Sequence, residues 1–100
     1  MSMDIPQKIR VMRKSEDLTQ REFADIVGIS YSALTSYEYG RNLPGLEVTI
    51  KLFKHPRFSK YRDWFLFDEM EPKAGQVIPA LAHIGQEETE SPRYGNNSGE

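Results

Sequence analysis

Five hydroxyl-bearing side chains stand close together in the chain and are the residues best suited to specific hydrogen bonding. They are Tyr31, Ser32, Thr35, Ser36 and Tyr39. Their spacing of one, three and four residues places them on the free face of one short helix. A hydroxyl group both donates and accepts hydrogen bonds, and this face carries no long anionic side chain. A helix of this kind fits the roughly 12 Å wide major groove of DNA, so the pattern indicates contact with base edges.

The sequence also carries residues that begin and end the helices around this face. Thr19 and Glu22 have the spacing of a capping box, which predicts the start of a preceding helix. Gly28 ends that helix, because a residue without a β-carbon enters the left-handed conformation at little steric cost. Ser30 can cap the next helix, and Gly40 ends it. The predicted inward-facing residues of the two helices are Phe23, Ala24, Val27, Leu34 and Tyr37.

Three further helices complete the predicted unit. Asp4 can cap a first helix that has Pro6 in its opening turn. A fourth helix is predicted to bury Leu46, Ile50 and Phe53, which share one face. With a fifth, aromatic helix, the predicted helices span about residues 5–16, 20–27, 31–39, 46–54 and 59–68.

The fifth helix carries more apolar surface than one face can bury. Tyr61, Trp64 and Phe65 can cover the core, which leaves other apolar side chains directed elsewhere. Exposed aromatic patches usually mark an interface, so we predict a homodimer; the alternative is one wide core stripe with no partner. The predicted interface residues are Phe58, Leu66, Phe67, Val77, Ile78, Leu81 and Ile84.

Beyond residue 70, prolines and glycines interrupt the chain, and its end is almost wholly polar. A short β-strand at Gln76–Ile78 could pair with its symmetry mate for dimerisation, and Pro79 would confine it to an edge. We therefore divide the chain into a DNA-binding domain at residues 1–70, a dimerisation extension at 71–85 and a disordered tail at 86–100.

The net charge of −2 hides a difference between the two parts of the chain. Residues 1–66 carry 11 Lys and Arg against 8 Asp and Glu, whereas residues 67–100 carry 2 against 7. The predicted binding unit is therefore mildly basic, and a few phosphate contacts would suffice for salt-dependent docking. The basic side chains near the motif are Lys8, Arg10, Lys14, Arg21 and Arg41, and the alternative for each is a solvated surface charge.

Composition disfavours several classes of function. The chain has no cysteine, which excludes disulfides and thiolate metal sites. No apolar run approaches the roughly 20 residues of a membrane span, and no signal-peptide pattern opens the chain. His55 and His83 have no companions that would make a catalytic or metal site. We expect a soluble intracellular protein that is no enzyme and needs no cofactor, metal or small-molecule ligand.

Across about residues 5–55, the chain resembles the Cro/repressor-type helix-turn-helix family. The matching residues are Leu18-Thr19-Gln20, Phe23-Ala24, Gly28-Ile29-Ser30, Ser36, Glu38-Tyr39-Gly40-Arg41, Pro44 and Leu46-Glu47. The resemblance implies a mainly α, five-helix, lambda-repressor-like fold with a partly buried ion pair between Arg13 and Glu38. Asp17 stands where the family usually has glycine, but Asp tolerates the left-handed conformation better than most residues. Gly45 replaces the usual helix cap at small cost.

Residues 12–18 and 60–92 extend the resemblance to the short immunity repressors, called C, of Peduovirus-type temperate coliphages. This likeness implies a dimeric repressor that binds a double-stranded DNA operator of repeated half-sites in the host cytoplasm. Such a repressor silences an early lytic promoter and maintains lysogeny. From this likeness we expect no self-cleaving C-terminal domain of the kind found in damage-responsive repressors.

Roles in the binding site follow from the exposed positions and the resemblance. The predicted base-contacting residues are Tyr31, Ser32, Thr35 and Ser36, and the predicted phosphate-contacting residues are Gln20, Arg21, Tyr39, Arg41 and Asn42. Gln20 can reach a phosphate through its side chain or its backbone amide. The alternative function is an antitoxin that uses the same motif to regulate its own gene and binds a toxin with its tail.

Overall fold

The computed structural model describes residues 3–82, which are mainly helical. The helices are α1 (Ile5–Ser15), α2 (Gln20–Val27), α3 (Tyr31–Glu38), α4 (Leu46–Lys54) and α5 (Arg62–Phe67). The 3-10 turns Ser59–Tyr61 and Pro72–Ala74 lie on either side of α5, and residues 80–82 are also helical. The mainly α fold with a helix-turn-helix is confirmed. No helix in this described range is long and apolar enough to cross a membrane.

Local hydrogen bonds define the ends of the helices around the central turn. The Thr19 hydroxyl accepts a hydrogen bond from the Glu22 amide at 3.1 Å, and the Glu22 carboxylate accepts one from the Thr19 amide at 2.9 Å. Gly28 ends α2 with φ 87°, and Asp17 adopts φ 63° between α1 and α2. The Ser30 hydroxyl accepts a hydrogen bond from a first-turn amide of α3 at 3.0 Å. These caps set the angle at which α3 leaves α2.

Aromatic side chains dominate the core. Phe23 and Phe58 pack edge to face with ring centroids 4.9 Å apart, and both are buried. The predicted interface role of Phe58 is therefore wrong, because a side chain with 0 % exposure contacts only the core of its own protomer. The remaining buried apolar residues are Ile9, Met12, Ala24, Val27, Leu34, Leu52, Tyr61, Trp64, Phe65, Pro79 and Ala82.

Of the three residues predicted to face the core in α4, Phe53 does so and Leu46 and Ile50 do not. Leu46 and Ile50 are 76 % and 50 % exposed, whereas Leu52 is buried. Phe53 packs edge to face against Phe65, with ring centroids 5.1 Å apart. Because α4 carries apolar residues on two faces, its periodicity alone does not decide which face is buried. Packing of Phe53 against Phe65 of α5, together with burial of Leu52, determines which face of α4 is buried.

The extension after α5 folds back onto the helices. The carboxamide oxygen of buried Gln76 accepts a hydrogen bond from the Asp63 amide at 2.9 Å, and its nitrogen donates to the Ser59 carbonyl at 3.0 Å. The Val77 amide donates to the Lys60 carbonyl at 2.8 Å. Gln76 therefore satisfies a first-turn amide of α5 that has no acceptor within the helix.

The strand predicted at Gln76–Ile78 is not present in the described part of the chain. Gln76 forms an isolated antiparallel bridge with Glu71, and its amide donates to the Glu71 carbonyl at 3.0 Å. This amide and that of Val77 have acceptors within the chain, so pairing with a symmetry mate would require breaking these bonds. Ile84 of the predicted interface and the predicted disordered tail at residues 86–100 lie outside the described residues.

Glu16 joins the C-terminal end of α1 to the segment before α5. Its carboxylate accepts a hydrogen bond from the Tyr61 hydroxyl at 2.6 Å and pairs with Lys60 at 3.1 Å and Arg57 at 3.2 Å. Burial raises the pKa of the Glu16 carboxyl, but the hydrogen bonds from these three residues outweigh burial and leave the pKa below its ordinary value. Burial and the hydrogen bond to Glu16 raise the pKa of the Tyr61 hydroxyl.

Replacing Glu16 by Gln should lower the free energy of unfolding at about pH 7, and this deficit should shrink in acid. Folding lowers the pKa of Glu16, so its stabilisation is fully present above the unfolded pKa of about 4.3 and is lost as the pH falls through the folded value. Urea denaturation between about pH 7 and about pH 3 measures the difference, with the exposed Glu69→Gln as control. A deficit that stays constant down to the lowest pH would contradict this assignment.

Candidate nucleic-acid interface

A buried ion pair supports the helix that carries the hydroxyl side chains. The side chain of Glu38, the last residue of α3, is wholly buried, and that of Arg13 in α1 is 11 % exposed. The Arg13 guanidinium donates from Nε to Oε2 of Glu38 at 2.7 Å and from a second nitrogen to Oε1 at 3.1 Å. It also donates to the Leu18 carbonyl at 3.0 Å. The structure therefore brings the two residues of the expected pair together with the hydrogen bonds that a buried charge requires.

Two further side chains bind Glu38. Arg10 donates to its backbone carbonyl, and the carboxamide nitrogen of Gln20 donates to Oε1 at 3.0 Å. The side chain of Gln20 thus faces the ion pair. Its backbone amide is the other route to a phosphate, because the first residue of a helix has no acceptor for its N–H within the helix. One buried carboxylate joins α1, α2 and α3.

The hydroxyl side chains of α3 lie at the surface of the protein. Tyr31 is 40 % exposed, and Tyr39, which follows the helix, is 64 % exposed. Ser32 is exposed, and Thr35 and Ser36 are half-buried. The Thr35 hydroxyl donates to the Ser32 carbonyl at 3.0 Å, one turn earlier. The four predicted base-contacting residues lie on one accessible helix, and their contact with DNA remains a prediction.

Predicted phosphate-contacting residues lie at both ends of this helix. At its start, the guanidinium carbon of Arg21 lies 4.1 Å from the ring centroid of Tyr31. At its end, the guanidinium carbon of Arg41 lies 5.8 Å from the ring centroid of Tyr39. The positively charged groups therefore flank the hydroxyl face, which is the arrangement expected if base edges are contacted at the centre and phosphates at the margins.

Two contacts on this surface were not predicted from the sequence. The side-chain nitrogen of Asn42 donates to the Ser36 hydroxyl at 2.7 Å, because the left-handed Gly40 (φ 80°) folds the chain back over the end of α3. The stacking of Arg21 on Tyr31 joins two helices. Neither contact joins residues at a helical spacing. For the Asn42–Ser36 contact, the one signal in the sequence is Gly40, which indicates that the chain turns back at the end of α3.

Two basic residues that were candidates for phosphate binding make contacts inside the protein. Lys8 is 4 % exposed, and its ammonium group donates to the carbonyls of Trp64 and Phe65 at 3.0 Å each and pairs with Asp68 at 2.7 Å. A positive charge is favourable at this C-terminal end of α5. Arg10 is half-buried and donates to the Glu38 carbonyl. The exposed basic residues of the group are Lys14, Arg21 and Arg41.

The other predicted interface residues of the described chain lie in α5 and the extension. Leu66 and Phe67 are 46 % and 62 % exposed, and nearby Met70 is 52 % exposed. Val77, Ile78 and Leu81 are half-buried. Part of each of these apolar side chains is therefore accessible from outside the protomer.

The chain is similar in sequence to a helix-turn-helix family model and to known regulatory proteins. A family model described as helix-turn-helix matches residues 9–59. Repressor protein C of Escherichia phage P2 is 44 % identical over 99 residues, which cover 99 % of this chain and 100 % of that protein. Antitoxin PezA of Streptococcus pneumoniae serotype 4 is 48 % identical over 44 residues, 44 % of this chain and 28 % of the antitoxin. The cryptic phage CTXphi transcriptional repressor RstR of Vibrio cholerae serotype O1 is 36 % identical over 50 residues, 50 % of this chain and 45 % of RstR.

Replacing Glu38 by Gln should lower the free energy of unfolding by about 3–5 kcal/mol, because it leaves the Arg13 charge buried without a counter-charge. The matched control is Glu47→Gln, an exposed carboxylate in the first turn of α4, for which a change within about 0.5 kcal/mol is expected. Urea denaturation at neutral pH measures both. Equal losses for the two variants would show that Glu38 has no special role in the fold.

Proposed function

Since this chain belongs to the phage-repressor type of the helix-turn-helix family, we propose that it silences an early lytic promoter and so maintains lysogeny. Membership of this family identifies the chain as a DNA-binding transcriptional repressor. The observation that carries the finer proposal is the likeness to a phage repressor along essentially the whole of both chains. A bound repressor blocks transcription by occupying promoter DNA that RNA polymerase would use.

We assign the reading of the operator to the exposed face of α3. Ser32, Thr35 and Ser36 offer hydroxyls of the size that reaches base edges in the major groove, where Ser and Thr pair with several bases. Arg41 and the backbone amide of Gln20 contact phosphates and set the orientation of the protein on the duplex. Tyr39 and Asn42 join this phosphate set at the end of α3.

We further propose that the protein binds its operator as a homodimer through α5 and the extension. The support is the exposure of Leu66 and Phe67, two large apolar side chains that the protomer's own core does not cover. Burying such side chains at a twofold interface removes apolar surface from water and pairs two recognition helices. The operator then contains two half-sites, and each protomer contacts one of them.

The antitoxin alternative has a narrower basis. Its likeness to this chain is limited to 44 residues and 28 % of the antitoxin, so it does not extend to most of that protein. The repressor match covers both proteins almost completely. A toxin encoded beside this gene, and bound by the purified chain, would favour the alternative over a lysogeny repressor.

Footprinting on DNA that flanks the gene should reveal repeated half-sites, and two variants then test the assigned roles. Arg41→Ala should weaken binding to operator and scrambled DNA alike, because a phosphate contact carries no sequence information. It should also reduce the slope of log K against log salt concentration by about 1.

Ser32→Ala should reduce the binding free energy by about 1 kcal/mol through the loss of one base contact, and it should relax the base preference at that position of the operator. Gel-shift titration measures both, with Lys54→Ala, an exposed residue in the last turn of α4, as control. The reverse pattern would contradict the assignment.

Phe67→Lys should convert the dimer into a monomer, because it places a charge in the proposed apolar interface. Its exposure in the protomer means that the fold should survive. Analytical ultracentrifugation measures the mass. The matched control is Leu46→Lys, which adds the same charge at a residue that is 76 % exposed in α4 and should leave the mass unchanged. If Leu46→Lys dissociates the dimer and Phe67→Lys does not, the interface lies on α4.

A further inference from the structure

Arg21 and Tyr31 form a stacked pair across the turn of the motif. Arg21 is the second residue of α2, and Tyr31 is the first residue of α3. The guanidinium carbon lies 4.1 Å from the centroid of the phenol ring, which is within the range of a cation–π contact. Both side chains are exposed, so the pair lies at the surface that faces DNA in the proposed function.

The ring is the contact that holds the Arg21 guanidinium within the described residues. In residues 3–82, this side chain makes no salt bridge and no hydrogen bond, although Glu22 and Asp25 line the same shallow surface cavity. Since the guanidinium makes no hydrogen bond in this part of the chain, its N–H donors are available for an external acceptor. The arrangement therefore presents a cation beside an aromatic ring with unused donors.

We infer that Tyr31 is a positioning residue, whose ring holds Arg21 against a DNA phosphate, and that its hydroxyl reads no base. This inference rests on the proposed function and revises the role predicted for Tyr31 from the sequence. A phosphate is the favoured acceptor because Arg21 lies in the first turn of α2, beside the backbone amide of Gln20 and the positive end of the helix dipole. An arginine that is already ordered loses less side-chain freedom when it binds.

Four proteins separate the ring from the hydroxyl. Tyr31→Phe keeps the ring, Tyr31→Leu removes it, Arg21→Ala removes the cation, and the double variant Tyr31→Leu with Arg21→Ala removes both. Affinity is measured by fluorescence anisotropy on the footprinted operator and on a scrambled duplex of equal length, over a series of salt concentrations. Thermal denaturation of each variant confirms that it is folded.

The expected pattern is non-additive. Tyr31→Phe should bind within about twofold of the wild type, and Tyr31→Leu should bind about two- to fivefold more weakly on both duplexes. Arg21→Ala should lose at least as much and lower the salt slope by about 1, and the double variant should match Arg21→Ala. Equal losses for Tyr31→Phe and Tyr31→Leu, or additive losses in the double variant, would overturn the inference. A loss of affinity for the operator but not for the scrambled duplex would show that Arg21 contacts a base edge, such as that of guanine, and would also overturn the inference.

A measurement without DNA distinguishes failure of this inference from failure of the proposed function. Protons of the Arg21 side chain above the ring should show an upfield ring-current shift by NMR in the wild type and Tyr31→Phe, and none in Tyr31→Leu. A wild-type protein that prefers no operator would overturn the proposed function while these shifts persist. Absence of the shifts in a wild type that does bind its operator would overturn the inference alone.

Discussion

The buried carboxylate of Glu38 is the constraint on which the placement of α3 depends. It lies at the end of α3 and receives donors from Arg13 of α1 and Gln20 of α2, while Arg10 binds its carbonyl. A buried charge is costly unless every partner is in place, so this cluster penalises any rotation or translation of α3 relative to the other two helices. We expect such a pair to supply specificity of orientation more than net stability, since buried ion pairs are often no more stabilising than apolar replacements.

Helix α5 is held in another way: side chains that are distant in the sequence form hydrogen bonds with the backbone groups at its two ends. Gln76 binds the Asp63 amide at its start, and Lys8 binds the carbonyls of Trp64 and Phe65 near its end. A six-residue helix is too short to be stable by itself, so tertiary contacts must hold it. The same contacts determine which aromatic residues point inward and which, such as Phe67, remain outside.

Local signals predicted most of the fold, and non-local choices produced the errors. The capping box at Thr19 and the glycine at residue 28 depend on neighbouring residues alone, the left-handed Asp17 is implied by the family resemblance, and the structure has each of them. The prediction for Leu46 is wrong because α4 has two apolar faces, and only the elements packed against them distinguish the buried one. The prediction for Phe58 is wrong because the sequence does not show which aromatic side chains near α5 are covered by the core. At the site, sequence located the exposed hydroxyl face, but the stacking of Arg21 on Tyr31 needs the angle between two helices, which no spacing in the sequence specifies.

Helix α1 is the physical connection between the surface proposed to read DNA and the surface proposed to pair protomers. Arg13 binds α3 through Glu38, Lys8 binds the end of α5, and Glu16 binds the turn before it. The Ser15 hydroxyl also accepts a hydrogen bond from the Leu81 amide of the extension at 3.1 Å. Because these contacts all come from α1 or from the residue that follows it, a movement of α3 relative to α5 would break polar bonds, some of them buried. In a homodimer joined through α5, the position of α3 relative to α5 would therefore be one of the two determinants of half-site spacing, and the orientation of the protomers at the interface would be the other.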